Sequence, residues 1–328
     1  MKYNITAGFK NNNWKECWVV EIGTGNLECT PYEKKATDFY DFQEEDTEKF
    51  LKKWDCTFGK TGKKRLIKDT MDDEEGKEKK KGIIEVYPCI QSEGSRSGMP
   101  TIAVRTTGCT HRCYFGEGGF CDSWYTSWHP EKALYSFNDV VAMYDKHPYI
   151  KEMMLTGGSP TMWPTLVNEL THFANRRKIN ITIETEGSHF LETDYKIGLI
   201  SLSPKFSNSK PIIGTKTPNG IEVTQKTVDL HERYRLKKDE IKKMLDYHWD
   251  YHFKPVCNPI EQPEIWGEIE NFRLEMGIPK WKTWIMPPAD NREELIRVYP
   301  AVMEFCTLNG YNFTGREHIT AYNDRRGV

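Results

Sequence analysis

The sequence has no long apolar run, no strong charge of either sign and no cysteine framework spread along it. No stretch reaches the roughly 18 uninterrupted apolar residues of a membrane-spanning helix, so a helical membrane protein is not expected. The N-terminal MKYNITAGFKNNN has no apolar centre of the kind a secretory signal carries, and a cytoplasmic location is expected. Forty-six basic against 48 acidic side chains leave a net charge of −2. That balance argues against nonspecific nucleic-acid binding, which needs a basic face to displace counterions. No internal repeat is apparent. The nine cysteines are an odd number and are scattered except for one cluster. Without an export signal, that cluster reads as metal-binding or catalytic rather than disulfide-forming.

What is present suffices for a sizeable core: 328 residues, 38% hydrophobic and 12% aromatic, enough for one large domain or two smaller ones. Residues 69–82, DTMDDEEGKEKKKG, carry ten charged side chains among fourteen. Such a stretch buries nothing and reads as a solvated linker. It separates an N-terminal region, 1–68, from a main body, 83–328. The first is rich in aromatics (Trp14, Trp18, Phe39, Tyr40, Phe50, Trp54) and is expected to be a small α+β element, with a strand at WVVEI. Two glycine motifs there fail as nucleotide loops. Gly23-Thr24-Gly25 lacks a third glycine and a following helix, and Gly59-Lys60-Thr61 has Trp54 where a phosphate loop needs its first glycine.

The main body alternates between two periods. Strand-like runs fall at 83–87, 101–107, 153–155, 181–185, 197–203, 252–256, 283–286 and 318–322. Between several of them lie helical patterns. In 163–177, Leu166, Val167, Leu170, Phe173 and Ala174 make one apolar stripe. In 291–309, Asn291 is followed three residues later by Glu294, an N-cap pattern, and Leu295, Val298, Val302 and Phe305 repeat behind it. Strands alternating with helices predict a parallel sheet with crossover helices, hence an α/β barrel or part of one, with its chemistry at the C-terminal strand ends.

Directly after the run TIAVRTT come Cys109-Thr-His-Arg-Cys113 and then, after seven intervening residues, Cys121. Three thiolates can ligate three irons of a cubane [4Fe–4S] cluster and leave one iron open to an external ligand. Zinc, with His111 or His129 as fourth ligand, is an alternative, although the paired knuckles of common zinc modules are missing; free thiols are another. After the next strand, Thr156-Gly157-Gly158-Ser159-Pro160 supplies glycines that let a backbone approach a ligand closely.

In this order the motifs resemble the radical S-adenosylmethionine enzymes, and within them the 7-carboxy-7-deazaguanine synthase family. Ile90-Gln91-Ser92-Glu93-Gly94 is similar to the family's LQGEG, with Gly98 and Pro100 following. Val104-Arg105 with Gly108-Cys109 is similar to V-R-x-x-G-C, Cys121-Asp122-Ser123 to C-D-T, and residues 156–160 to T-G-G-E-P. Ile183-Glu184-Thr185 matches I-E-T, Ser203-Pro204-Lys205 matches S-P-K, and HITAYNDRRGV resembles the closing segment, with His318 at its histidine. The family's cysteines are often spaced C-x3-C-x2-C, but lengthened cluster loops occur in it. Further departures are Ser159 for Glu, Ser92 for Gly, Ser123 for Thr, and the extra N-terminal residues.

The resemblance implies a partial (β/α)6-type barrel with a small extra N-terminal α+β region. It implies a [4Fe–4S] cluster on Cys109, Cys113 and Cys121, to whose open iron S-adenosylmethionine binds, and an electron from the cluster that cleaves the cofactor and starts radical chemistry. The substrate implied is 6-carboxy-5,6,7,8-tetrahydropterin, converted to 7-carboxy-7-deazaguanine with loss of ammonia. The implied cofactor-site residues are Phe120, Asp122, Gly158, Glu184, Ser203, Pro204, Lys205, Met286, Pro287, Pro288 and Ala289. Ile90, Gln91, Ser92, Arg105, Thr156 and His318 would face the pterin, Arg105 aptly so because its planar fork suits a carboxylate. Ser123 would hold Mg2+. An external electron donor such as flavodoxin and a homodimer are also implied. The other six cysteines, Cys89 among them, read as packed or free thiols. Rival readings are another radical enzyme of this class, such as a glycyl-radical activase, and a non-enzymatic interaction protein that keeps the fold.

Overall fold

The computed structural model describes residues 82–328, except Glu117, Gly118, Asp290 and Asp324, and four short strands before them. The chain divides into two compact units, Met1–Lys79 and Lys80–Val328. In the first unit, Trp18–Glu21 is a strand, as WVVEI predicts, and pairs antiparallel with Leu27–Thr30; Lys2–Tyr3 pairs antiparallel with Leu66–Ile67. The other aromatic residues of 1–68, both glycine motifs and all of the charged run but Gly82 lie outside the described residues.

The second unit is built on a six-stranded sheet whose spatial order follows the chain: β1 (Ile83–Ile90), β2 (Pro100–Thr106), β3 (Glu152–Gly157), β4 (Asn180–Thr185), β5 (Leu199–Leu202) and β6 (Tyr251–Phe253). From β2 to β6 every pairing is parallel, as the strand–helix alternation predicts. The first pairing is not: β1 runs antiparallel to β2, because only nine residues join them, too few for a crossover helix. The sheet is open, not a closed barrel. Beyond β6, isolated parallel bridges Phe253–Thr283 and Val256–Met286 lead to β7 (Trp284–Ile285), which pairs parallel with β8 (Asn312–Phe313).

Alternation along the strands divides the two faces. Ile102, Val104, Met153, Leu155, Ile181, Ile183, Ile200 and Leu202 share one core with Val140, Leu166, Val167, Leu170, Phe173 and Ala174 from the crossover helices. The stripe read from 163–177 is therefore the buried face of the helix Pro164–Arg177, which Pro164 opens at the position where its missing N–H costs nothing. The helix Arg292–Asn309 is capped as its sequence predicts, Asn291 Oδ1 accepting from the Glu294 N–H at 2.9 Å.

One expected element is of the other type. The run 318–322 is not a strand but part of the helix Glu317–Tyr322. Only Ile319 turns inward, onto Leu295 and Ala289, and Arg292 donates to the carbonyls of Thr320 and Ala321 at 2.6 Å each. A single helical turn is fixed here by an arginine from another helix, a partner no local pattern reveals. Among the described residues, no helix is long and apolar enough to cross a membrane.

Candidate active site

The face of the sheet away from the core carries a polar row. Arg105 pairs in register with Thr156, Glu184 with Ser201, and Ser201 with His252. Thr156 Oγ1 donates to Glu184 Oε2 at 2.8 Å, and Ser201 Oγ lies 2.7 Å from His252 Nε2. Arg105, Thr156 and Glu184 open onto a cavity of about 750 Å³ at the C-terminal strand ends.

Cys109, Cys113 and Cys121 all line this cavity, and all three are free thiols. Residues 114–120 do not push Cys121 away from Cys113. Tyr114 and Phe120 form an antiparallel bridge with their rings 4.8 Å apart, and Phe115 N–H donates to Gly119 O at 2.8 Å. Residues 114–115 and 119–120 thus pair as the two sides of a small hairpin stem, and the Cys121 N–H donates to the Cys113 carbonyl at 3.3 Å. Trp128 Nε1 holds the same carbonyl at 3.0 Å. Behind Cys109 the chain is pressed against the next strand end: a Cβ on Gly158 would strike the Gly108 carbonyl, and one on Gly157, at φ +134°, would strike the Thr106 backbone.

Among the described residues, no three of His, Cys, Asp or Glu converge closely enough to hold one ion. The zinc alternative needed such a point. His111 is turned to Thr110, and His129 to Asn219 at 3.0 Å. A cubane asks for something else, three thiols facing one space with each bound to a different iron, and the cysteine placement fits that demand. Burial pushes the Cys121 thiol up to about 12 and raises Cys109 and Cys113 as well. Cluster binding would therefore release protons from these thiols.

A chain of ion pairs lines the cavity, centred on the buried Lys254 and Arg316. Lys254 lies 2.5 Å from Glu93 Oε2 and 3.0 Å from Glu184 Oε1; Arg316 pairs with Glu93 at 3.3 Å and with Asp122. Burial alone would raise Glu93, but Lys254 and Arg316 hold its carboxyl well below the usual range. Asp122 is likewise lowered by Arg316 against the opposing effect of burial. Lys254 and Arg316 were not singled out from the sequence; the only signal for Lys254 was its position within the strand-like run 252–256.

The other expected site residues sort as follows. Ile90, Gln91, Ser92, Phe120, Gly158, Ser203, Lys205, Met286, Pro288, Ala289 and His318 line the cavity, whereas Pro204 and Pro287 are buried and do not. Lys205 Nζ donates back to Ser203, at 2.9 Å to its carbonyl and 3.0 Å to its hydroxyl. Arg105 is engaged by the protein itself: Nε donates to Glu85 at 2.7 Å, Nη1 to Ser123 Oγ at 3.0 Å and Nη2 to Tyr87 at 3.5 Å. Burial lowers His318, which stands on the short helix rather than on a strand.

A loop of three cysteines at the end of a parallel strand, over a polar row in an open α/β sheet, is the arrangement of a radical S-adenosylmethionine enzyme. The 7-carboxy-7-deazaguanine synthase of Halobacterium salinarum is 30% identical over 245 residues, 74% of this chain and 90% of its own. Those of Rhodopirellula baltica and Pyrobaculum aerophilum are each 26% identical, over 75% of this chain and 88% and 96% of their own. The chain belongs to the 7-carboxy-7-deazaguanine synthase family. No family model matches it. The crystal structure of QueE from Escherichia coli superposes with a TM-score of 0.46 at 17% identity, covering 71% of this chain and 92% of that one.

Proposed function

We propose that this chain converts 6-carboxy-5,6,7,8-tetrahydropterin to 7-carboxy-7-deazaguanine with loss of ammonia. The observation that carries the reading is the convergence of Cys109, Cys113 and Cys121 on the cavity that Arg105, Thr156 and Glu184 also line, in a chain of this family. When bound, the [4Fe–4S] cluster and S-adenosylmethionine supply a one-electron route to hydrogen abstraction; the protein positions them and excludes competing reactants.

The chain's own groups divide the remaining work. Arg105 takes the substrate carboxylate, exchanging contacts it now makes with Ser123 and Tyr87 for a bidentate pair. Thr156 and Gln91 orient the ring system, and the Lys254–Glu184 pair fixes Thr156 from behind. Ser203, Lys205 and the segment 286–289 border the cofactor. Magnesium belongs to the reading with one condition. Ser123 Oγ is a hard donor of the right chemistry, but it accepts from a guanidinium, so it serves the ion only after Arg105 has turned to substrate. A homodimer and an external electron donor such as flavodoxin complete the reading, as does an active site held wholly within 83–328, with 1–68 an addition joined by the charged run.

Anaerobic reconstitution with iron and sulfide, followed by product analysis with the carboxytetrahydropterin, tests the reading. Formation of the deazaguanine acid is the expected result. Cofactor cleavage with no pterin product would point to a different radical enzyme, and no cleavage at all to a binding protein.

A further inference from the structure

Glu85 and Arg105 face each other across the antiparallel pair β1–β2. Glu85 Oε2 accepts from Arg105 Nε at 2.7 Å, and only 15% of either side chain is exposed. The other oxygen, Oε1, accepts from Arg326 Nε at 3.0 Å and from its Nη2 at 2.7 Å. Arg326 is held in turn by Glu131, at 3.0 and 3.1 Å. Its guanidinium lies 3.5 Å from the centre of the Tyr125 ring, over which Arg105 also stands at 5.9 Å. Two carboxylates and two guanidiniums thus make one set, and Glu85 touches both cations.

A guanidinium offers a carboxylate either the edge that includes Nε or the edge of its two Nη groups. Glu85 occupies Nε, so a second carboxylate can pair bidentately with Arg105 only at the Nη1–Nη2 edge. The present partners of that edge, Ser123 and Tyr87, are hydroxyls that carry no competing charge. With Arg105 as its only cation, Glu85 would cancel the charge that edge presents; Arg326 draws on Glu85 from the other oxygen and prevents this. We infer that Glu85 and Arg326 are positioning residues for Arg105. Glu85 fixes which edge of the guanidinium meets the substrate carboxylate, and Arg326 offsets the Glu85 charge so that this edge still attracts it. The inference rests on the role given to Arg105 in the function proposed above. The competing role for Arg326, which also lines the cavity, is to touch the carboxylate itself.

Anaerobic equilibrium dialysis of the full, cluster-loaded chain, with S-adenosylmethionine and no reductant, separates the two roles. The probes are 6-carboxy-5,6,7,8-tetrahydropterin and the tetrahydropterin without its carboxylate. Arg326→Gln should weaken binding of the carboxylated probe about 10-fold, the low end for a close charge pair at an interface, and leave the other probe unchanged. Glu85→Gln keeps an acceptor for Nε without the charge and should bind the carboxylated probe more tightly than the unaltered protein. In that background Arg326→Gln should cost no more than about 2-fold, because a side chain 44% exposed then acts only through screened charge. Glu85→Ala, equal in charge to Glu85→Gln but with nothing to hold Nε, should bind the carboxylated probe about 10-fold more weakly than Glu85→Gln. The same cost of Arg326→Gln in both backgrounds would mean direct contact and overturn the inference. So would equal binding by Glu85→Ala and Glu85→Gln, or a parallel weakening of both probes. Product formation by the unaltered protein is scored separately. Deazaguanine acid formed alongside any of those overturning results leaves the proposed function standing without the inference. Selective binding as expected with no product sinks the function and leaves the positioning roles in place.

Discussion

Lys254 Nζ sits between Glu184 Oε1 at 3.0 Å and Glu93 Oε2 at 2.5 Å, with only 4% of its side chain exposed. One ammonium thus joins the end of β4 to the stretch that follows β1. Removing one member of a buried set leaves the others charged in a medium that solvates them poorly. Lys254→Met should cost roughly 3 kcal/mol of stability and abolish turnover. Urea unfolding measures the first effect, and a midpoint equal to that of the unaltered protein would mean that water already screens the pair.

The cluster assignment is checked one cysteine at a time. Cys113→Ala should remove the broad visible absorbance of a thiolate-bound iron–sulfur centre after reconstitution, and with it cofactor cleavage. Retained activity would move the second ligand elsewhere in the loop.

Ser123 tests the magnesium assignment. Ser123→Thr keeps the oxygen and should be tolerated. Ser123→Ala should blunt the magnesium dependence and slow pterin turnover several-fold, while abortive cleavage of S-adenosylmethionine survives. An unchanged magnesium titration in the alanine variant would leave Ser123 as no more than a hydrogen-bond acceptor for Arg105.

Three buried histidines predict the acid response. Burial lowers His252 and His231 to about 3 and His248 to about 4. Above the unfolded value near 6.5 both states are neutral and nothing changes. As pH falls through that value, the unfolded chain takes protons that the native one refuses. Stability is then lost down to the folded values, by about 2 kcal/mol per histidine at pH 5. Urea midpoints at pH 7.5 and pH 5 should differ accordingly. A flat profile would show that these rings are protonated in the native fold.

Truncation tests where the active site ends. A chain starting at Lys80 keeps Gly82, whose carbonyl accepts from the Thr107 N–H at 2.8 Å. It should fold, load its cluster and turn over. A cluster-loaded but inactive product would place part of the active site before residue 82.

The sequence revealed most where one side chain acts on its own neighbourhood. The stripe of Leu166, Val167, Leu170, Phe173 and Ala174 is the buried face of its helix, and Asn291 caps the helix it precedes. It revealed little where a partner comes from far along the chain. Arg316 meets Glu93 across 223 residues and Lys254 meets Glu93 across 161, and neither cation stands in a motif. Arg292, holding the last carbonyls of Glu317–Tyr322, turned an apparent strand into a helix in the same way. The antiparallel β1 was hidden for a different reason: a run of β-branched residues reads the same in either direction.

The hairpin between Cys113 and Cys121 separates two kinds of nearness. Counted along the polymer the two cysteines are eight positions apart, yet one backbone hydrogen bond makes their peptide groups neighbours. A cofactor responds only to the second measure. Pattern searches keyed to fixed cysteine intervals would pass over such a chain, whereas any insertion that leaves and re-enters through a paired stem is neutral toward the ligands at its base. Such stems are places where a cluster loop can gain length, and with it new surface, while its inorganic chemistry stays the same.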